Sequence, residues 1–151
     1  PLADDPVPEA DFVYLPGGYP ELHAARIADA STFLTTLRDR AASADIYGEC
    51  GGYMVLGETL TDANGTEHRM AGLLGLATSF ATRKLHLGYR RLTSHWGPLP
   101  GTRMAHEFHY ATTLAADGAP LFDAEDAEGN TLAPMGLIEG RVAGSFAHVI
   151  V

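Results

Sequence analysis

Short apolar runs and helix-spaced apolar positions alternate along the first third of the chain. Asp11-Phe12-Val13-Tyr14-Leu15 is a compact apolar run closed by Pro16-Gly17-Gly18, which reads as a buried strand feeding a tight turn. From Glu21 to Ser43 the residues are good helix formers. Phe33, Leu34, Leu37 and Ala41 recur at i, i+1, i+4 and i+8, so they share one helical face, and Ser31 stands where an N-cap is expected. Ala44-Asp45-Ile46-Tyr47 is a second buried strand, and Tyr53-Met54-Val55-Leu56 opens a further helix. Strand, helix, strand and helix in that order predict parallel βαβ pairing and an α/β fold.

The remainder follows a different pattern. Asn64-Gly65 is the strongest hairpin signal, joining Glu58-Thr59-Leu60 to Glu67-His68-Arg69-Met70. Asn64-Gly65-Thr66 is also a glycosylation sequon, but without a secretory signal the turn is the better reading. Alternation in Leu85-His86-Leu87 and Tyr89-Arg90-Arg91-Leu92 predicts strand within Phe80–Ser94. Further strands are expected at Met104–Thr113, Thr131–Ile138 and Arg141–Phe146, with turns at Glu128-Gly129-Asn130 and Glu139-Gly140. The expected whole is a mixed sheet: a parallel core extended by mostly antiparallel strands.

Composition narrows the function classes. At 151 residues and 46% hydrophobic content the chain suffices for one cored domain. Residues 1–10 read as a linker or a truncated start, and 11–151 as the domain. A formal net charge of −9 argues against nucleic acid and anionic membranes as partners. No apolar run approaches the roughly 20 residues that span a bilayer, and no signal-peptide core is present, so a cytoplasmic protein acting on small molecules or another protein is expected. The single cysteine excludes an intramolecular disulfide and a cysteine-built zinc site.

That cysteine, Cys50, sits in Tyr47-Gly48-Glu49-Cys50-Gly51-Gly52-Tyr53, between a predicted strand and a predicted helix. A cysteine there projects its sulfur beyond the sheet, beside a helix N-terminus whose dipole is expected to favour thiolate. Gly48, Gly51 and Gly52 suit a nucleophile elbow, which needs unusual dihedrals and an uncrowded approach. The competing reading is a small buried hydrophobe. A thiolate nucleophile also needs a base and oxyanion donors. Of the seven histidines, His148 is the best candidate base, in a strand-end loop after Gly144-Ser145-Phe146; a plain hydrogen-bonded histidine is its alternative. Gly17 and Gly18 end the first strand, where ligands of open α/β sheets bind, and their turn together with Gly51 offers N–H groups for an oxyanion. His106-Glu107-Phe108-His109 invites a metal reading. However, residues i and i+3 of a strand face opposite sides, so no metal is assigned, and His106, Glu107 and His109 are read as pocket-lining or as sheet packing. There is no GxGxxG and no GxxxxGK[ST] in the chain.

Leu15-Pro16-Gly17-Gly18-Tyr19-Pro20-Glu21-Leu22, the Cys50 segment through Met54, Lys84-Leu85-His86-Leu87-Gly88-Tyr89-Arg90 and His106-Glu107-Phe108-His109-Tyr110 together resemble the C-terminal glutaminase domain of cobyrinate or hydrogenobyrinate a,c-diamide synthases. The resemblance runs from Asp11 to Ile150. It implies a flavodoxin-like class I (triad-type) glutamine amidotransferase domain that begins one strand–helix–strand unit before Asp11. It further implies that Cys50 attacks glutamine, that His148 shuttles the proton, and that Gly18 and Gly51 hold the oxyanion. The ammonia would serve ATP-dependent amidation of corrin carboxylates. No cofactor is implied for this domain; ATP and Mg²⁺ would belong to an N-terminal synthetase domain, with the corrin at the domain interface. Where wider triad enzymes carry His-x-Glu, this chain has Ile150, so a Cys–His dyad is expected, with Glu107 as a possible orienting carboxylate. The alternatives are adenosylcobyric acid synthase, another cysteine hydrolase on a similar scaffold, and a non-catalytic interaction module.

Overall fold

A computed structural model describes residues 1–150. The elements in chain order are β1 (Phe12–Leu15), a 3-10 turn (Pro20–Leu22), α1 (Ala24–Ala28), α2 (Ser31–Arg40), β2 (Asp45–Glu49) and α3 (Gly51–Leu56). There follow β3 (Thr59–Thr61), β4 (Glu67–Arg69), β5 (Gly75–Ser79), β6 (His86–Ser94), β7 (Gly101–His109) and β8 (Thr112–Asp117). The chain closes with β9 (Phe122–Glu125), β10 (Thr131–Met135), β11 (Leu137–Glu139), β12 (Val142–Ser145) and β13 (Ala147–Ile150).

The expected parallel core is present as β1-β2-β12, with β11 antiparallel at its far edge. Pleating sends successive residues to opposite faces. Ile46 and its neighbour Val142 point into a core shared with α2 and α3. Tyr47 and Ala143, one residue on, point into a second core against Leu92, Trp96 and Phe122. β2 and β12 are covered on both faces, whereas β1, expected as a buried strand, is the sheet edge and leaves Phe12 and Tyr14 about half exposed.

The antiparallel extension is two sheets rather than one. One has the order β10-β9-β6-β7-β13 and the other β4-β3-β5-β8, with β3 and β5 parallel. The Asn64-Gly65 hairpin forms as expected, with Gly65 at φ 82°. Two strands predicted as continuous are split. Thr131–Ile138 breaks at Gly136, whose φ of 75° lets β10 pair with β9 and β11 with β12. Met104–Thr113 breaks at Tyr110-Ala111, so β7 and β8 serve different sheets. Helix formers between Glu21 and Ser43 give a 3-10 turn and two helices, with the second, α2, beginning at Ser31.

Ser31 is not the cap of α2. The cap position is Ala30, without a side-chain bond, and the orphan N–H of Phe33 donates instead to Asp4 Oδ1 at 2.8 Å. The N-terminal residues therefore lie against the domain. Val7 is buried, and its N–H donates to Thr36 Oγ1. A side chain 29 residues upstream supplies the cap, which a local capping pattern does not reveal.

Candidate active site

The elbow forms where the glycines predict it. Cys50 is the N-cap of α3 with φ 49° and ψ −103°, a strained conformation for a residue bearing a Cβ. Two hydrogen bonds fix it: Cys50 N–H donates to Ser145 O at 2.8 Å and Gly52 N–H to Pro16 O at 3.1 Å. A Cβ on Gly52 would lie 2.0 Å from Leu15 O, and one on Gly51 would lie 2.8 Å from Gly18 N. The glycines are thus required by backbone packing, and that packing sets the Gly18 turn directly against the residue following the cysteine. A cleft of about 300 Å³ is lined by Leu2, Gly17, Gly18, Ile27, Gly52 and Val55, and neither Cys50 nor His148 lines it.

His148 reaches the same place, but not from a loop. It lies within β13, opposite His106 of β7. The chain leaves the first sheet at Ser145 and enters the second at Ala147, with Phe146 between them. Phe146 is clamped by the His109 ring at 3.8 Å and by the Tyr53 edge at 5.1 Å. A Cβ built on Gly17 would stand 2.8 Å from His148 Cε1 and 3.7 Å from Cys50 Cβ. The imidazole, the nucleophile and the glycine turn therefore converge.

The carboxylate that holds the imidazole is Glu49, not Glu107. Glu49 Oε1 accepts from His148 Nδ1 at 3.2 Å and from Tyr14 Oη at 3.0 Å, and Oε2 accepts from Val149 N–H at 3.2 Å. Tyr14 is pushed up to about 12, by burial first and then by Glu49, so it remains a donor. Sequence reasoning passed over Glu49 because the family pattern directed attention to residues after His148. The available signal was its position, last in β2 and immediately before the nucleophile. With Nδ1–H facing a carboxylate, Nε2 is left as the basic nitrogen.

The thiol itself departs from expectation. Burial pushes Cys50 up to about 11, Glu49 and Glu21 add to the rise, and the Gly51 N–H lowers it only in part. A helix of six residues does not offset desolvation beside two carboxylates. Cys50 therefore rests as a thiol, with Sγ 3.9 Å from Phe108 O, and it needs a base.

Strand alternation divides the His106–His109 segment. His106 shares a face with Tyr89, whereas Glu107 and His109 are buried on the other side. There Glu107 Oε2 accepts from Arg90 Nε and Nη2 at 3.0 and 2.9 Å, and Oε1 contacts His109 Nε2 at 3.0 Å. Donor atoms of His86, Glu107 and His109 lie within 4.8 Å of one another. The His86 and His109 rings are stacked with 3° between their planes, so their lone pairs run parallel instead of converging on an ion, and Arg90 neutralises the carboxylate. This is a buried ion-pair network that holds β6 to β7 and braces Phe146. His109, then Arg90, hold Glu107 below its usual 4.5. Its contribution to stability is full above 4.5 and lost as pH falls through the lower folded-state value. Glu107→Gln is expected to cost about 2 kcal/mol near pH 7 and to flatten the acid limb of stability, as read from urea midpoints between pH 7 and pH 3.

The match to known sequences follows this geometry. A family model described as the CobB/CobQ-like glutamine amidotransferase domain matches residues 1–151. The chain belongs to that family. It is 57% identical over 154 residues to the hydrogenobyrinate a,c-diamide synthase of Brucella abortus biovar 1 (strain 9-941), covering 99% of this chain and 35% of that protein. It is 54% identical to the enzyme of the same name from Rhodobacter capsulatus, covering 99% and 36%. The chain thus spans about a third of the length of these relatives and aligns with their amidotransferase part. A solved structure of a glutamine amidotransferase matches with a TM-score of 0.59 at 15% identity, over 91% of this chain and 70% of that one, which supports the class I amidotransferase fold. Among the described residues of this amidotransferase domain, no helix is long and apolar enough to cross a membrane.

Proposed function

We propose that this domain hydrolyses glutamine and supplies the ammonia for amidating the a and c carboxylates of hydrogenobyrinate or cobyrinate, within a longer cytoplasmic polypeptide. The observation that carries the reading is the convergence of Gly17, Cys50 and His148, with Glu49 holding the outer nitrogen of the imidazole. His148 Nε2 takes the thiol proton as Sγ bonds to the side-chain amide carbon of glutamine. The oxyanion is held by the N–H groups of Gly18 and Gly51. The carbon–nitrogen bond then breaks, the imidazolium returns its proton to the nitrogen, and ammonia leaves a glutamyl thioester. Water attacks that thioester with His148 again as base, releasing glutamate and restoring the Cys50 thiol.

Gly17, where a side chain would meet both His148 and Cys50, leaves room for glutamine, and Gly52 lets the elbow pack against Leu15. Glu49 keeps the imidazole in the useful tautomer and stabilises the imidazolium that forms. ATP and Mg²⁺, which activate the acceptor carboxylates, are assigned to the synthetase part of the polypeptide. The name of the relatives favours a,c-diamide synthesis over the adenosylcobyric acid branch. The test supplies the full polypeptide with ATP, Mg²⁺, hydrogenobyrinate and glutamine labelled with ¹⁵N in its amide. Label should appear in both new amides. Hydrogenobyrinate left unamidated, with label remaining in glutamine, would refute the proposal.

A further inference from the structure

A carboxylate that orients an imidazole must itself be held. Two of the donors on Glu49, His148 Nδ1 and the Val149 N–H, come from β13, the strand that carries the imidazole. The third comes from β1: Tyr14 Oη donates at 3.0 Å to Oε1, the same oxygen that meets Nδ1. The register explains the reach. Tyr14 is paired with Tyr47 in the parallel ladder, and Tyr47 and Glu49 are two residues apart on β2, so all three share a face. The two tyrosine rings stack at 6.1 Å with 11° between their planes. Tyr14 is thus half exposed at the sheet edge, yet its hydroxyl reaches a carboxylate whose side chain is only 12% exposed. The hydroxyl of Tyr47, on the same strand as Glu49, is buried without a partner. The carboxylate therefore takes its phenolic donor from the neighbouring strand.

We propose that Tyr14 is a positioning residue for glutamine hydrolysis: its hydroxyl locks the Glu49 carboxylate so that Oε1 holds His148 Nδ1–H and leaves Nε2 free for Cys50. The inference rests on the hydrolytic role proposed above. A carboxylate oxygen has two lone pairs, and Tyr14 occupies one of those on Oε1, so the other is directed at Nδ1. The bond to an ionised acceptor is of the stronger, charge-assisted kind. It also persists through the cycle. Burial, then Glu49, push Tyr14 up to about 12, so the hydroxyl keeps its proton while the imidazole gains and loses one. Tyr14 acts through Glu49 and not on the reacting atoms. It ties the carboxylate to the first sheet, while the imidazole belongs to the second.

The test is glutamine hydrolysis by the full polypeptide carrying Tyr14→Phe, which keeps the ring on Tyr47 and removes only the hydroxyl. The kcat should fall about tenfold with KM within about twofold of the parent, and the urea midpoint should not move. Replacement of Tyr14 by 3-fluorotyrosine, which retains the donor, should restore kcat. A Tyr14→Phe protein as active as the parent would overturn the inference. A fall in kcat accompanied by a lower urea midpoint would also overturn it, because the hydroxyl would then be supporting the fold. A second measurement asks whether Tyr14 works through Glu49. Added to Glu49→Gln, Tyr14→Phe should change kcat by less than about twofold, since the oriented carboxylate is already lost. A further tenfold fall there would assign Tyr14 another route and count against the proposal. Failure of the parent protein to hydrolyse glutamine would instead strike the functional reading, so the two failures are distinguishable.

Discussion

Cys50→Ser should abolish glutamine hydrolysis, with a fall of about 10⁴-fold or more, while leaving the fold intact. Serine differs from cysteine by one atom, accepts the same backbone, and leaves the Cys50 N–H bond to Ser145 O untouched. Its hydroxyl is a far weaker nucleophile with a base suited to a thiol. The glutamine analogue diazo-oxo-norleucine should add to Cys50 in the parent, located by mass mapping, and not at all in the variant. An adduct elsewhere, or equal labelling of the serine variant, would remove Cys50 from the mechanism. The pH dependence supplies a further check. Because Cys50 is pushed up to about 11, the spontaneous thiolate fraction is small at neutral pH and grows as pH rises towards that value. In His148→Asn, which lacks the base, alkylation of Cys50 should therefore be slow at pH 7 and accelerate up to about pH 11.

Local chemistry made the elbow legible. Glycines on both sides of Cys50 and a strand-to-helix change are one-dimensional signals, and the observed φ of 49° is what they predict. The parallel core was legible because short apolar runs alternate with helix formers, although the apolar run of β1 proved to be a half-exposed edge rather than a buried strand. What escaped was set by pairing across long separations. The cap of α2 comes from Asp4, Glu49 meets His148 across 99 residues, and Gly136 redirects one predicted strand into two sheets. The thiolate expectation failed because dipole arguments count the helix but not the two carboxylates and the desolvation around the sulfur. The opposite faces of His106 and His109, in contrast, followed from strand periodicity alone.

Glu49→Gln should lower kcat about 10³-fold with only a small change in KM. The geometry dictates how the amide would sit. Val149 N–H is a backbone donor and cannot reverse, so the amide oxygen takes the place of Oε2, which accepts from it at 3.2 Å. The amide NH₂ then occupies the place of Oε1 and faces His148 Nδ1. A donor there requires Nδ1 to accept, which moves the ring proton to Nε2 and removes the lone pair that should deprotonate Cys50. The same substitution deletes one of the charges that raise the thiol, so when it is added to His148→Asn, where no base contributes, Cys50 should be alkylated faster at pH 7 than in His148→Asn alone. Loss of packing alone would not make the thiol more reactive while turnover collapses. Glu49→Asp, which keeps the charge and withdraws it by one methylene, should recover part of kcat without speeding alkylation. Slower alkylation when Glu49→Gln is added to His148→Asn would show that Glu49 supports the fold rather than orienting the imidazole.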